Sequence, residues 1–431
     1  MPAARVERTT CVVVGGGPAG LVLGLLLARA GVAVTVLEKH ADFLRDFRGD
    51  TVHPTTLGLL DDLGLFARFD AIPQSRVVRV RVPGAEGTGA VLADFGRLPV
   101  RHPYIAMVPQ WDLLDLLADA GAAEPAFTLR MRHEVTALTR AGGRATGVAY
   151  TSPEGDGAIE ADLVVACDGR WSRLRRDGGF PLRTLPVGFD VWWYRIASDV
   201  ALGESLLPRL KGGRVAVGIP RRGYVQVAGI GRKGSDHLVR AAGLDAFRAQ
   251  AADLFPELAG DVGTIASMDE VKLLEVRMDR LRRWYRNGVL CIGDAAHAMS
   301  PVGGVGINLA VQDAVATARI LAGPLRDGRM RGPGAARHLA RVQRRRQLPA
   351  AIVQTVQRVL HRFVIMPALA GPLAPPRALV RLLKAVPALT VLPALVVGVG
   401  PRPERAPRWA RRVSRAAAGA APRRRCRWRR R

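Results

Sequence analysis

Lysine is scarce in this chain: 431 residues hold 64 lysines and arginines, and only five of these are lysine. The formal net charge of +27 is therefore carried by arginine. Residues 401–431 contain thirteen Arg and one Glu, which is +12, and the other 400 residues carry the remaining +15 without a concentrated patch. Arginine enrichment alongside Ala, Gly and Pro is what a GC-rich coding sequence produces, so no specific nucleic-acid partner is expected. Cysteine is rare too. Cys11, Cys167, Cys291 and Cys426 are too far apart for a zinc or thioredoxin spacing, and the first three sit in apolar runs. Buried free thiols and a reducing, cytoplasmic setting are expected. Met1–Thr10 lacks the apolar core of a secretory leader. The terminal apolar run Ala385–Gly400 has sixteen residues, short of the roughly 20 that a membrane span requires.

What is present is a large apolar inventory, 48% of residues, enough to bury a sizeable core in about two domains. The first ordered signal is Cys11-Val-Val-Val-Gly-Gly-Gly-Pro-Ala-Gly20. An apolar run breaks into Gly15, Gly17 and Gly20, spaced G-x-G-x-x-G. Leu21–Arg29 then reads as a helix and Val32–Leu37 as a second strand ending at Glu38. Gly15 permits the turn, Gly17 admits a pyrophosphate close to the backbone, and Gly20 lets helix and strand approach. The helix N-terminus offers N–H groups to phosphates, and Glu38 can accept ribose hydroxyls. An adenine dinucleotide is implied. Arg48, in the charged loop beyond Glu38, can clamp a pyrophosphate bidentately.

Pro54–Gly64 reads as a short helix, and Gln110 opens another at Val108–Leu117. Strands are expected at 77–82 and 90–95, around a turn at Gly84–Gly89, and in a meander over 127–165. That meander closes on Leu163–Cys167, followed by Asp168-Gly169 and by Ser172 as a helix cap. Residues 180–278 change texture: runs at 191–196, 214–220 and 224–230 predict antiparallel strands, with a helix over 241–254. Trp192, Trp193, Tyr194, Tyr224 and Met268 are candidate pocket residues there. A third signal follows: a strand at Val289–Ile292, then Gly293-Asp294, then a glycine-rich loop through Gly303, Gly304 and Gly306 into a helix over 307–322. The dipole of that helix, beginning beside Asn308, favours negative charge in the loop. His297 has no second ligand at a familiar metal spacing, so no metal is expected.

These three signals, in this order and each at a strand end, closely resemble the FAD-dependent aromatic hydroxylases. These are the class A flavoprotein monooxygenases with the para-hydroxybenzoate hydroxylase fold, and the likeness covers about residues 9–325. It implies an α/β fold: a Rossmann-like FAD-binding domain interleaved with a sheet-based substrate domain, followed by a helical C-terminal region. By the resemblance, residues 9–75, 106–178 and 281–325 form the FAD domain, 76–105 and 179–280 the substrate domain, and 326–400 the helical region. The tail 401–431 lies outside it and reads as basic and disordered. Gly15, Gly17, Ala19, Gly20, Glu38 and Lys39 would hold the ADP part of FAD, and Arg48 and Gln110 would also contact it. Asp168 would serve both FAD and a transiently bound NAD(P)H. Asp294 would hold the ribityl and pyrophosphate region, while Pro301, Gly306, Asn308 and Leu309 would approach the isoalloxazine.

The implied activity is oxygenation of an aromatic or polyketide-like small molecule with NAD(P)H and O2. An FAD-dependent reductase or dehydrogenase acting on an isoprenoid or quinone is the alternative. His53, Arg195 and Tyr224 are candidate partners for a phenolic hydroxyl, and none is singled out as the base. For Ala378–Val399 two readings stand: a packed terminal helix pair, or a peripheral contact with anionic lipid. A monomer or homodimer is expected.

Overall fold

The computed structural model describes residues 6–44, 51–82, 90–200, 202, 206–332, 334–371 and 377–412. Arg48, the Gly84–Gly89 turn and Cys426 lie outside them. The first region is built on an eight-stranded sheet with the order Tyr285–Arg286, Val289–Cys291, Gly155–Ala166, Val6–Val14, Val34–Leu37, Phe127–Arg130. Strands Glu134–Ala141 and Arg144–Ser152 extend it antiparallel from Gly155–Ala166. The central strands end in the apolar runs Cys11–Val14 and Leu163–Ala166, buried because both faces of the sheet are covered there. Helices Pro18–Arg29, Gln110–Ala122 and Gly306–Arg326 belong to the same core, and Cys11, Val12 and Val13 are fully buried within it.

Register is what turns this sheet into a site. Val14 lies opposite Leu37 on one side and Ala166 on the other, and Ala166 lies opposite Cys291. The carboxyl ends of four parallel strands are therefore level. Gly15, Glu38, Asp168 and Asp294 follow those ends within a few residues, at the edge where α/β sheets bind ligands.

The second region is a five-stranded antiparallel sheet ordered Leu207–Lys211, Arg214–Arg221, Tyr224–Arg232, Phe189–Ala197, Lys272–Leu274. Its two faces are both apolar. Trp192, Tyr194 and Ile196 point to the side covered by helix Gly243–Leu254 and Phe255. Val191 and Trp193 point to the opposite side. A separate turn of helix, Asp236–Ala241, precedes Gly243–Leu254 where one helix over 241–254 was expected. Beyond the sheets run helix Ala335–Leu360, a π-turn at His361–Ile365, and helices Met366–Ala370, Arg377–Ala385 and Val391–Gly398. The architecture is thus mixed α/β, with an interleaved sheet domain and a helical C-terminal region.

The expectation of a disordered tail from residue 401 is corrected for residues 401–412, which pack on the core. Composition registers the arginines there but not the partners of the single acid. Glu404 is buried, its Oε1 accepts from Arg345 at 2.5 Å and its Oε2 from Arg319 at 2.5 Å. Arg346, also buried, lies 3.8 Å from Glu404 and donates to Asp313 Oδ1 at 2.9 Å. Asp313 Oδ2 accepts the Gly293 N–H at 3.1 Å and pairs with His297 Nε2 at 2.5 Å. Burial pushes the Asp313 carboxyl towards its neutral form, and the His297 and Arg346 charges outweigh it, holding the carboxyl below its usual range. Removing one partner from such a network leaves buried charge uncompensated. Glu404→Ala should therefore lower the unfolding free energy by about 3–5 kcal/mol, read from urea denaturation followed by circular dichroism. An unchanged midpoint would mean that the 401–412 segment contributes nothing to the fold.

Candidate functional site

Two contacts shape the glycine turn. Gly15 has φ +106°, and a Cβ there would lie 2.4 Å from the Cys167 carbonyl oxygen. A Cβ on Gly20 would lie 1.9 Å from the Gly15 carbonyl oxygen. Any side chain at either position separates the strand from its neighbours. Gly17 differs: nothing lies within 4 Å of where its Cβ would be, and it caps helix Pro18–Arg29 without a side-chain hydrogen bond. The first-turn N–H groups are left for an anion. Glu38 is buried beside the turn, where Oε2 accepts the Gly16 N–H at 2.8 Å and Oε1 the His40 N–H at 3.0 Å.

The second turn is held by its own cap. Ser172 Oγ accepts the Arg175 N–H at 3.0 Å, as expected of a helix cap. Asp168 Oδ2 accepts the Leu174 N–H at 3.2 Å, while Oδ1 is buried with no hydrogen-bond partner among the described residues. Burial raises the carboxyl pKa of Asp168. Arg175 is the residue that sequence reasoning missed here. Its guanidinium donates to the Arg170 carbonyl at 2.7 Å and the Ala295 carbonyl at 3.3 Å, tying the Asp168 turn to the Asp294 turn. Asp294 Oδ2 is 3.7 Å from Arg170 Nη2, and the Asp294 side chain is partly exposed.

The third turn is braced from the C-terminal helices. Gln357 Nε2 donates to the carbonyls of Ser300 at 2.9 Å and Val302 at 2.8 Å, and its Oε1 accepts the Ser300 N–H at 3.2 Å. His361 Nε2 lies 2.9 Å from Ser300 Oγ. From the other side, Thr51 donates to the Gly304 carbonyl at 2.8 Å, and His53 Nε2 is 3.0 Å from the same oxygen. Periodicity carries no trace of the Gln357 clamp, because it joins residues more than fifty positions apart.

One cavity of about 1420 Å³ joins these turns to an apolar chamber. Gly15, Gly17, Ala19, Glu38, Lys39, Gln110, Asp168, Asp294, Pro301 and Gly306 all line it. Gly20 and Leu309 do not; both are buried in the packing beneath. The Asn308 side chain is also engaged elsewhere: its Oδ1 accepts hydroxyl hydrogens from Thr55 and Thr56, each at 2.7 Å, locking helix Gly306–Arg326 to helix Pro54–Asp62. Of the candidate pocket aromatics, only Trp193 is in the lining, because strand alternation turns Trp192 and Tyr194 to the far face. Met268 packs with that far-face cluster, and Tyr224 lies under Arg195, whose guanidinium is 5.0 Å from the ring centre.

The chamber walls include Phe95, Met107, Trp193, Val217 and Ile219. Every titratable side chain among the described lining residues sits instead at the turn end, as Glu38, Lys39, Asp168, Arg170 and Asp294 do. His53, Arg195 and Tyr224, expected as hydroxyl partners, are absent from the described lining. His53 is fully buried, which pushes its pKa down to about 4 and keeps it neutral at physiological pH, bonded to the loop carbonyl.

The residues fit an extended dinucleotide. An open glycine faces a helix N-terminus, a buried carboxylate stands at the second strand end, and further carboxylates stand at the third and fourth. Comparison with known proteins agrees. A family model for the FAD binding domain matches residues 8–356. The 6-methylpretetramide 4-monooxygenase of Streptomyces rimosus is 33% identical over 344 residues, 75% of this chain and 78% of that protein. A 12-dehydrotetracycline 5-monooxygenase/anhydrotetracycline 6-monooxygenase from the same species is 33% identical over 331 residues, 72% of this chain but only 61% of that protein. Among solved structures, the anhydrotetracycline hydroxylase OxyS from Streptomyces rimosus superposes with a TM-score of 0.70 at 25% identity, covering 91% of this chain and 76% of that one. The chain belongs to the FAD binding domain family, as an FAD-dependent oxidoreductase of the flavoprotein monooxygenases with the para-hydroxybenzoate hydroxylase fold.

Proposed function

We propose that this enzyme uses NAD(P)H and O2 to hydroxylate or epoxidise a lipophilic aromatic or polyketide-like molecule. The observation that carries this reading is the continuity of one cavity from the glycine turn, past the 300–306 loop, into a chamber with apolar walls. Bound FAD supplies the redox chemistry, accepting reducing equivalents from the nicotinamide and activating dioxygen. The chain's own residues hold, orient and desolvate. Gly15, Gly17 and Ala19 would hold the pyrophosphate by backbone, with Gly20 packing the turn from beneath, and Glu38 and Lys39 would hold the adenosine side. Gln110, Asp168 and Asp294 contact the middle of the cofactor, with Arg48 as a further pyrophosphate partner. Pro301 and Gly306 present backbone to the reactive ring. Asn308 and Leu309 support that loop from beneath.

The described apolar walls of the chamber carry no titratable side chain, which favours a lipophilic ring system that brings its own acidity or double bond. Two relatives are named for tetracycline-type molecules, which makes such molecules the first probes. With anhydrotetracycline as first probe, NADPH and NADH consumption, oxygen uptake and product mass should be measured together. A product heavier by one oxygen atom is expected. Turnover that proceeds without oxygen would instead support the reductase or dehydrogenase reading.

Gln357 acts by positioning. It fixes the backbone of residues 300–302 through three hydrogen bonds, so its loss should misplace the loop without removing the cofactor site. Gln357→Leu should lower kcat/KM for oxygenation roughly tenfold to hundredfold. Flavin content should hold, and the fraction of NAD(P)H oxidised without product should rise. Loss of flavin in step with activity would reduce Gln357 to a folding role.

A further inference from the structure

We infer that the mouth of the apolar chamber is a docking surface for an anionic lipid bilayer. Six large apolar residues line the cavity and are also exposed: Trp171 lies beside the Asp168 turn, and the other five are Leu92, Leu210, Val364, Leu392 and Val396. These five mark where the chamber opens, against the π-turn His361–Ile365 and helix Val391–Gly398. The opening lies within a wider apolar surface. Of the 19 exposed large apolar side chains among the described residues, eleven fall between Leu348 and Trp409, including Phe363 at 64% and Leu392 at 61%. Packing alone gives no reason for that concentration.

Charge names the occupant. Residues 328–403 contain no Asp or Glu; Arg329, Arg331, Arg345 and Arg346 pair with acids outside the stretch, whereas Arg358, Arg362, Arg381 and Lys384 make no ion pair among the described residues. Arg358, Arg362, Arg381 and Lys384 are all exposed beside the apolar residues. Apolar side chains interspersed with unneutralised cations form the two-signal pattern of a peripheral contact with acidic headgroups. A nucleic acid would use the cations and leave Phe363 and Leu392 in water. Nor is the surface a span. Val302–Arg326 alone among the described helices has a span's length and apolarity, and 83% of its 18-residue apolar window is buried in the protein. Contact at the mouth lets a lipophilic substrate pass from the bilayer into the chamber without crossing water.

The test uses the full-length, FAD-loaded chain and has no turnover readout, so its failure leaves the oxygenase reading standing. Co-sedimentation is measured with phosphatidylcholine vesicles and with vesicles containing about 30% phosphatidylglycerol, at roughly 0.1 M salt. Binding to the anionic vesicles only, weakened by added salt, is expected. Phe363→Asp with Leu395→Asp, both exposed and outside the cavity lining, should weaken it at least about tenfold with flavin content unchanged. Leu382→Asp gives an independent second variant. Three results would overturn the proposal: no co-sedimentation with anionic vesicles, undiminished binding by both variants, or a DNA duplex bound equally well by wild type and both variants.

Discussion

Everything at the site depends on how closely three backbone segments approach at Gly15. The Cys167 carbonyl occupies the volume where a side chain on Gly15 would sit, and the Gly15 carbonyl the volume where one on Gly20, in the first turn of helix Pro18–Arg29, would sit. Because strand and helix touch there, the parallel register carries through from Leu37 to Cys291, and the strand ends finish level. A long cofactor can then be held at several points by residues far apart in sequence. A glycine placed for packing and a glycine placed for ligand access are distinguishable by the same measure: Gly20 has no room for a methyl group, while Gly17 faces open space.

The second constraint is electrostatic. Asp313 sits under the Asp294 turn and is ionised despite full burial, because His297, Arg346 and the Gly293 N–H converge on it. Arg346 extends the network towards Glu404, and Glu404 to Arg319 and Arg345. The Asp294 turn and the 401–412 segment are thereby parts of one buried charge system. Such networks add less to stability than their count of contacts implies, since each ion loses its hydration. Their geometry is nevertheless strict, and it fixes how the C-terminal helices, from which Gln357 and His361 reach out, meet the Ser300–Gly306 loop.

Much of this was legible in the sequence because it is local. The glycine spacing, the acid at the end of the second strand, the Asp168-Gly169 turn and the Gly293-Asp294 turn each announce a strand end within a dozen residues. What was illegible depends on which way a side chain faces, or on partners far along the chain. Trp192, Trp193 and Tyr194 are equivalent as a run, and only the pairing of Phe189–Ala197 with its neighbours sends Trp193 alone to the cavity. Asn308 reads as a cofactor contact from its place in the motif, yet its amide oxygen serves two threonine hydroxyls. Glu404 reads as one acid lost among arginines until three of them are seen around it.

FAD is expected to lie along the cavity with its ring at the 300–306 loop, facing the apolar chamber. A crystal structure of the FAD-loaded enzyme tests it most directly. Adenosine density beside Glu38, pyrophosphate over Gly17 and the ring against Pro301–Gly306 are expected. A ring placed away from that loop, or a chamber sealed off from it by protein, would contradict this placement of FAD.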